Sequence, residues 1–236
     1  MHQQILLMKK LLNPIILVLL LVIATSCNKT ASTATTNLRF INLSPNAGAL
    51  DVYANSYLVV GNVSYGSASS YQLINAASSA VSFTQSGTAN MVGSGSVGLN
   101  PNSYYSAIVY DSVSVIKGNL FKDDRTAPPT GKAFLRFFNY ANVNSSIDIL
   151  RSGTTPVKLF ASRTYVDHIS NTSLISYTAI DPGTFDVSAV VAGTSSVITQ
   201  LPNFEAVAGK SYTIVLKGFF GGTGAQAVFL GPITDQ

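Results

Sequence analysis

The sequence has no tryptophan, one cysteine and two histidines in 236 residues, and only 10% of it is charged. Each scarcity removes a class of protein. A lone Cys27 allows no internal disulfide, so stability must come from a packed core and not from a disulfide framework. A zinc centre needs several Cys or His ligands, which this chain does not have to spend. The formal charge of +4 is spread without a Lys/Arg cluster, which argues against nucleic acid as a partner. No window shows the apolar spacing of an amphipathic helix. What is abundant is Val, Ile, Thr, Tyr and Phe, within a hydrophobic fraction of 47%.

The one cysteine closes a three-zone leader. Lys9 and Lys10 supply positive charge, Ile15–Ala24 is an unbroken apolar run, and Thr25–Ser26–Cys27 follows. About ten apolar residues suit a signal-peptide core and fall short of the roughly 20 that span a membrane. Small residues directly before a lone Cys resemble the lipobox of bacterial lipoproteins. That resemblance implies cleavage before Cys27 and a lipid on its sulfur, with Ala24 a departure from the commoner Leu or Val. Residues 1–26 thus read as a lipoprotein signal peptide, with Met8 an alternative start to Met1. Residues 27–37 read as a polar tether of roughly 16–19 Å reach. Without Lys9 and Lys10, twelve basic residues face ten acidic ones, so the exported part is nearly neutral. The expected location is the cell envelope, as an outer-membrane lipoprotein facing either side.

The rest of the chain is written twice. LRFINLSPNAGALDV (38–52) aligns without a gap on LRFFNYANVNSSIDI (135–149), matching Leu38/Leu135, Arg39/Arg136, Phe40/Phe137, Asn42/Asn139 and Asp51/Asp148. YQLINAASSAVS (71–82) matches YTAIDPGTFDVS (177–188), and SYYSAIV (103–109) matches KSYTIVL (210–216). Three collinear blocks imply duplication with loop-length differences. The charged, Pro-containing stretch 122–132 reads as a linker between copy 1 (38–121) and copy 2 (133–236). Short β-rich runs separated by Asn, Gly, Pro and Ser predict two tandem immunoglobulin-like β-sandwiches of roughly seven strands each.

SPNAGALDVYANS (44–56), followed by a Tyr block, resembles the domain-of-unknown-function 4397 family of bacterial envelope proteins. Ser44, Pro45, Ala47, Asp51, Val52 and Tyr53 carry the match in copy 1. Copy 2 lacks the Ser-Pro and keeps Ile147–Asp148–Ile149, while its TAIDPGTFDV fits the later family block better. The resemblance implies a β-sandwich in the envelope and brings no catalytic residue.

The search for chemistry finds patterns in the wrong settings. His168 is the only histidine left after the leader, and Asp167 beside it would point to the opposite face of a strand, so the pair reads as a loop without a catalytic task. SVIK (114–117) has Ser-x-x-Lys spacing but no helix to align it. GSGSVG (93–98) matches a dinucleotide pattern, yet runs into LNPNSYY instead of a helix and reads as a flexible hairpin loop. Asp123–Asp124 reads as a solvated charge run, with no calcium-loop pattern around it. Asp51 and Asp148, flanked by apolar residues at equivalent places, read as structural acceptors for turn amides. Asn42 and Asn139 would lie opposite them if these segments formed hairpins. Asp111–Ser112–Val113 resembles an O-glycosylation acceptor of the Bacteroidetes phylum. Eleven tyrosines offer flat faces with polar tips for partners or sugar rings.

The expectation is therefore a non-enzymatic protein without a cofactor, held at the membrane by Cys27. Its two modules would serve a structural, adhesive or partner-binding role toward an envelope protein. The alternative is a glycan- or nutrient-binding accessory lipoprotein of an outer-membrane uptake system.

Overall fold

The computed structural model describes residues 34–77 and 79–236; the leader, Cys27 and most of the tether lie outside them. Residues 34–236 form one compact unit. Copy 1 contributes β1 (Thr35–Leu43), β2 (Leu50–Ala54), β3 (Tyr57–Val63), β4 (Gln72–Asn75), β5 (Ser79–Gln85), β6 (Met91–Val97), β7 (Tyr104–Tyr110) and β8 (Lys117–Lys122). Copy 2 repeats the series as β9 (Ala133–Asn139), β10 (Ile147–Arg151), β11 (Val157–Arg163), β12 (Thr178–Ile180), β13 (Gly183–Val191), β14 (Val197–Ala206), β15 (Ser211–Lys217) and β16 (Phe229–Thr234). Each copy has eight strands, one more than the turn spacing predicted. The first strand begins at Thr35, inside the stretch read as tether.

Each copy is a sandwich of two four-stranded sheets. Copy 1 pairs the order β4-β1-β7-β8 with β3-β2-β5-β6, and copy 2 pairs β12-β9-β15-β16 with β11-β10-β13-β14. The only parallel neighbours among the described strands are β1/β7 and β9/β15, at the same place in both copies. β1 and β2 belong to different sheets. Asn42 is therefore not opposite Asp51, nor Asn139 opposite Asp148, as a hairpin would require: the chain crosses between layers at Ser44–Ala49 instead of turning back within one. A true two-residue hairpin joins β2 to β3, where Asn55 and Ser56 take φ of 50° and 68°, the twist that short hairpins favour.

Alternation along β1 shows how the layers are held. Leu38 and Phe40 point into the core of copy 1 with Val52, Val63 and Val81. Arg39, Ile41 and Leu43 point the other way and are just as buried. In β9, Leu135 and Phe137 enter the copy 2 core with Val187 and Ile214, while Arg136 and Phe138 face outward and are also buried. The outward apolar residues of both copies meet in one cluster that includes Ile41, Ile108, Phe121, Phe138, Val215 and Ile233. The sheets carrying β1 and β9 are thus covered on both faces, each by its own sandwich partner and by the other copy.

Candidate functional site

Charges sit at the centre of the seam between the copies, and they are exchanged. Arg39 of copy 1 pairs with Asp235 of copy 2, and Arg136 of copy 2 pairs with Asp123 of copy 1 at 3.1 Å. Each arginine also donates its Nε to a hydroxyl of its own copy at 2.7 Å, Ser106 for Arg39 and Thr213 for Arg136. Tyr71 donates to Asp123 at 2.9 Å and Tyr177 to Asp235 at 2.8 Å. Every member has its counterpart in the other copy, so the seam has pseudo-twofold symmetry. All four charged side chains are at most 6% exposed, and two positive charges balance two negative. Burial pulls the Arg39 pKa down, but Asp235 and Asp123 outweigh it and hold the guanidinium charged. Asp123 is therefore no solvated linker charge: it is buried against two arginines, because β8 carries it into the seam.

His168 is also not a loop residue. It lies on a one-turn helix, α1 (Asp167–Ser170), at the edge of the same seam. Its ring stacks on Phe138 with centroids 4.3 Å apart, and Nε2 lies 2.9 Å from the Tyr140 hydroxyl and 3.3 Å from Asn119 of copy 1. Burial lowers its pKa, and it is fully inaccessible. Asp167 is spent on Arg163, through two bonds of 2.8 Å. This imidazole closes an interface and cannot meet a substrate. Ser114 sits in a 3₁₀ turn and Lys117 starts β8, where its ammonium pairs with Asp111 at 2.9 Å.

The repeated carboxylates hold turns. Asp51 accepts from the Asn62 and Gly87 amides and the Ser86 hydroxyl, and these donors hold its pKa below the usual range. Asp148 accepts from the Ser162 and Gly193 amides and pairs with Lys158 at 2.6 Å, whose hydrogen bond leads in lowering its pKa. Asn42 donates to the carbonyls of Gly48 and Val63 and accepts from the Ser44 amide. Asn139 accepts from the Ala141 amide.

Two of the recesses on copy 1 flank its sandwich. One, of about 510 Å³, runs between the two sheets at the β6/β8 side. The GSGSV residues read as a flexible loop are its wall: they form edge strand β6, paired antiparallel with β5 from Ser79↔Val97 to Thr84↔Met91. The other, of about 400 Å³, lies at the β3/β4 side among Asn55, Tyr57, Leu58, Gln72, Leu73 and Asn75. Tyr57, Leu58 and Leu73 are 79%, 58% and 68% exposed there. Sequence reasoning missed both recesses and the seam charges. Arg39 and Arg136, arginines set between apolar strand residues at matching places, were the available signal.

Comparison with known proteins adds one match to a family model. The model described as "Domain of unknown function (DUF4397)" matches residues 36–150, a span from β1 through all of copy 1 into β10. No curated protein matches. Among solved structures, "Alpha-glucan binding by a streptococcal virulence factor" aligns at 15% identity over 82% of this chain and 96% of that one, with a TM-score of 0.26. "Product complex of a multi-modular glycogen-degrading pneumococcal virulence factor SpuA" aligns at 14% identity over 85% of this chain and 22% of that one, with a TM-score of 0.24. Superpositions that poor carry no argument about function.

Proposed function

Starting from the match of residues 36–150 to the DUF4397 family, we propose that the chain is a lipid-anchored, non-enzymatic protein of the bacterial cell envelope that presents two joined β-sandwiches for binding an envelope partner. One observation carries the reading: the seam of exchanged Arg–Asp pairs makes both copies a single body, suited to hold a binding surface at a fixed distance from an anchor. The sequestered His168 supports a role without catalysis. The leader and Cys27 supply the anchor in this reading, and two or more acyl chains would give lasting attachment where one gives only marginal binding. The test is labelling of cells with a palmitate analogue, followed by fractionation of wild type and Cys27→Ser. Wild-type protein takes up label and sediments with membranes, and the variant does neither. Membrane retention of an unlabelled Cys27→Ser protein would overturn the anchor.

The β3/β4 recess favours a second reading, glycan binding as part of an uptake system. Tyr57 offers an open ring face beside the amides of Asn55, Gln72 and Asn75, groups suited to stack on and hydrogen-bond a sugar. Affinity electrophoresis through polysaccharide gels supports it if wild type is retarded and Tyr57→Ala is not.

A further inference from the structure

The duplication supplies an internal control for the β6/β8 cleft. In copy 1, Gly95 pairs with Val81. In copy 2 the equivalent of Val81 is Val187, and it pairs with Leu201, which packs on the core. Copy 2 further closes this side by bringing β14 against β16. A Cβ placed on Gly95 would meet no atom within 4 Å. The part of the cleft beside Gly95 is therefore open where copy 2 places a leucine side chain.

The edge that borders this cleft is also unguarded. Sheet edges normally carry charge, proline, bulges or very short strands that prevent another strand from adding. Here β4 and β12 are short, β8 and β11 carry lysines, β14 and β16 contain Pro202 and Pro232, and β3 is bulged at two places. β6 is seven residues without charge or proline, and its single irregularity is at one end, beside Met91. Among the described residues, its outward N–H and C=O groups have no neighbouring strand. Val115, in the lining of the cleft, is 58% exposed. Among the described residues, the only charged one lining the cleft is Lys117, already matched by Asp111.

We propose that copy 1 binds an extended, uncharged segment of a partner protein as an added strand along β6, with alternate apolar side chains filling the space beside Gly95. Main-chain pairing supplies affinity, and the cleft selects bulky residues at every second position. The neutral lining suits an uncharged strand. A second copy of this chain fits worse, because its own β6 would offer glycines where the cleft needs bulk. The inference deepens the partner-binding reading and is independent of Cys27.

The test uses the full-length protein in detergent and a blocked, fluorescent heptapeptide alternating Thr with Val and Leu, flanked by Gln. Binding is read by anisotropy and by amide hydrogen exchange. The expected result is protection of the amides of Val92–Val97, none along β14, and a loss of about tenfold or more in affinity for Gly95→Leu. No protection along β6 in wild type, a readout that needs no variant, overturns the proposal. So does a Gly95→Leu protein that folds and binds as wild type. Peptide-independent dimers joined through β6 in sedimentation would assign the edge to a second copy, and detergent contacts to Leu120 would assign the cleft to an acyl chain; either overturns it. Failure here leaves the fractionation result untouched, and failure of fractionation leaves this one untouched.

Discussion

Lys217 shows what a single buried charge does to this protein. It is 4% exposed, with Nζ 3.1 Å from the Gly66 carbonyl and 4.7 Å from the Phe229 ring centroid. Burial lowers its pKa to about 8. Between that value and the ordinary 10.5, the unfolded chain holds a proton that the folded chain has released, so stability rises with pH across this window. Below pH 8 the full penalty is present, about 3 kcal/mol. Lys217→Met should therefore stabilise the protein at pH 7, and the gain should shrink toward pH 10; urea unfolding at both values checks it. Asp148 acts in the opposite sense. Its pKa is lowered on folding, so its contribution is present above the unfolded carboxylate pKa and fades as acid takes the pH through the folded value. Asp148→Asn should flatten the acid limb of the stability curve. The equivalence of Asp51 and Asp148 was readable in the sequence, but the amides they hold come from distant turns at Gly87 and Gly193, and no local pattern names those.

Among the elements, the loop after β15 is the least tolerant. Gly218 has φ of +108°, and a Cβ there would lie 2.1 Å from the Ala227 carbonyl oxygen. Gly218→Ala combines a strained backbone with a backbone clash and should cost roughly 2 kcal/mol or more, read as a lower denaturant midpoint with unchanged slope. Element legibility was uneven for physical reasons. The all-β content and the duplicated strand series were plain from composition and collinear blocks. Alternation was masked in β1, β7, β9 and β15, because these strands are buried on both faces and read as continuous apolar runs. The glycines and serines of β6 carry turn signals and so suggest a loop, although here they line an edge. α1 was invisible, since four residues give no helical period.

For the whole molecule, the seam decides cooperativity. Arg136→Ala would leave Asp123 buried with a weakened partner set, a loss of about 3–5 kcal/mol. Calorimetry should show one transition for wild type, and for Arg136→Ala a lower one that splits or broadens as the sandwiches part. If the variant unfolds at the wild-type temperature in a single step, the exchanged pairs are not what joins the copies. The recurrence of arginine at 39 and 136 was legible in the sequence. Its partners were not, because each arginine pairs with a carboxylate carried by the opposite copy, Asp235 or Asp123.

That exchange has a historical consequence. A one-sandwich ancestor with this same face would have found its complement on an identical twin: a closer carboxylate for each arginine than its own, and one apolar sheet for another. Such a forebear would have been complete only as a homodimer, dissolving on dilution. Tandem fusion turned that encounter between molecules into a permanent internal marriage, with the partner always at hand. It also released the two halves from being identical, and the glycine that opens one flank stands where its sibling kept a leucine.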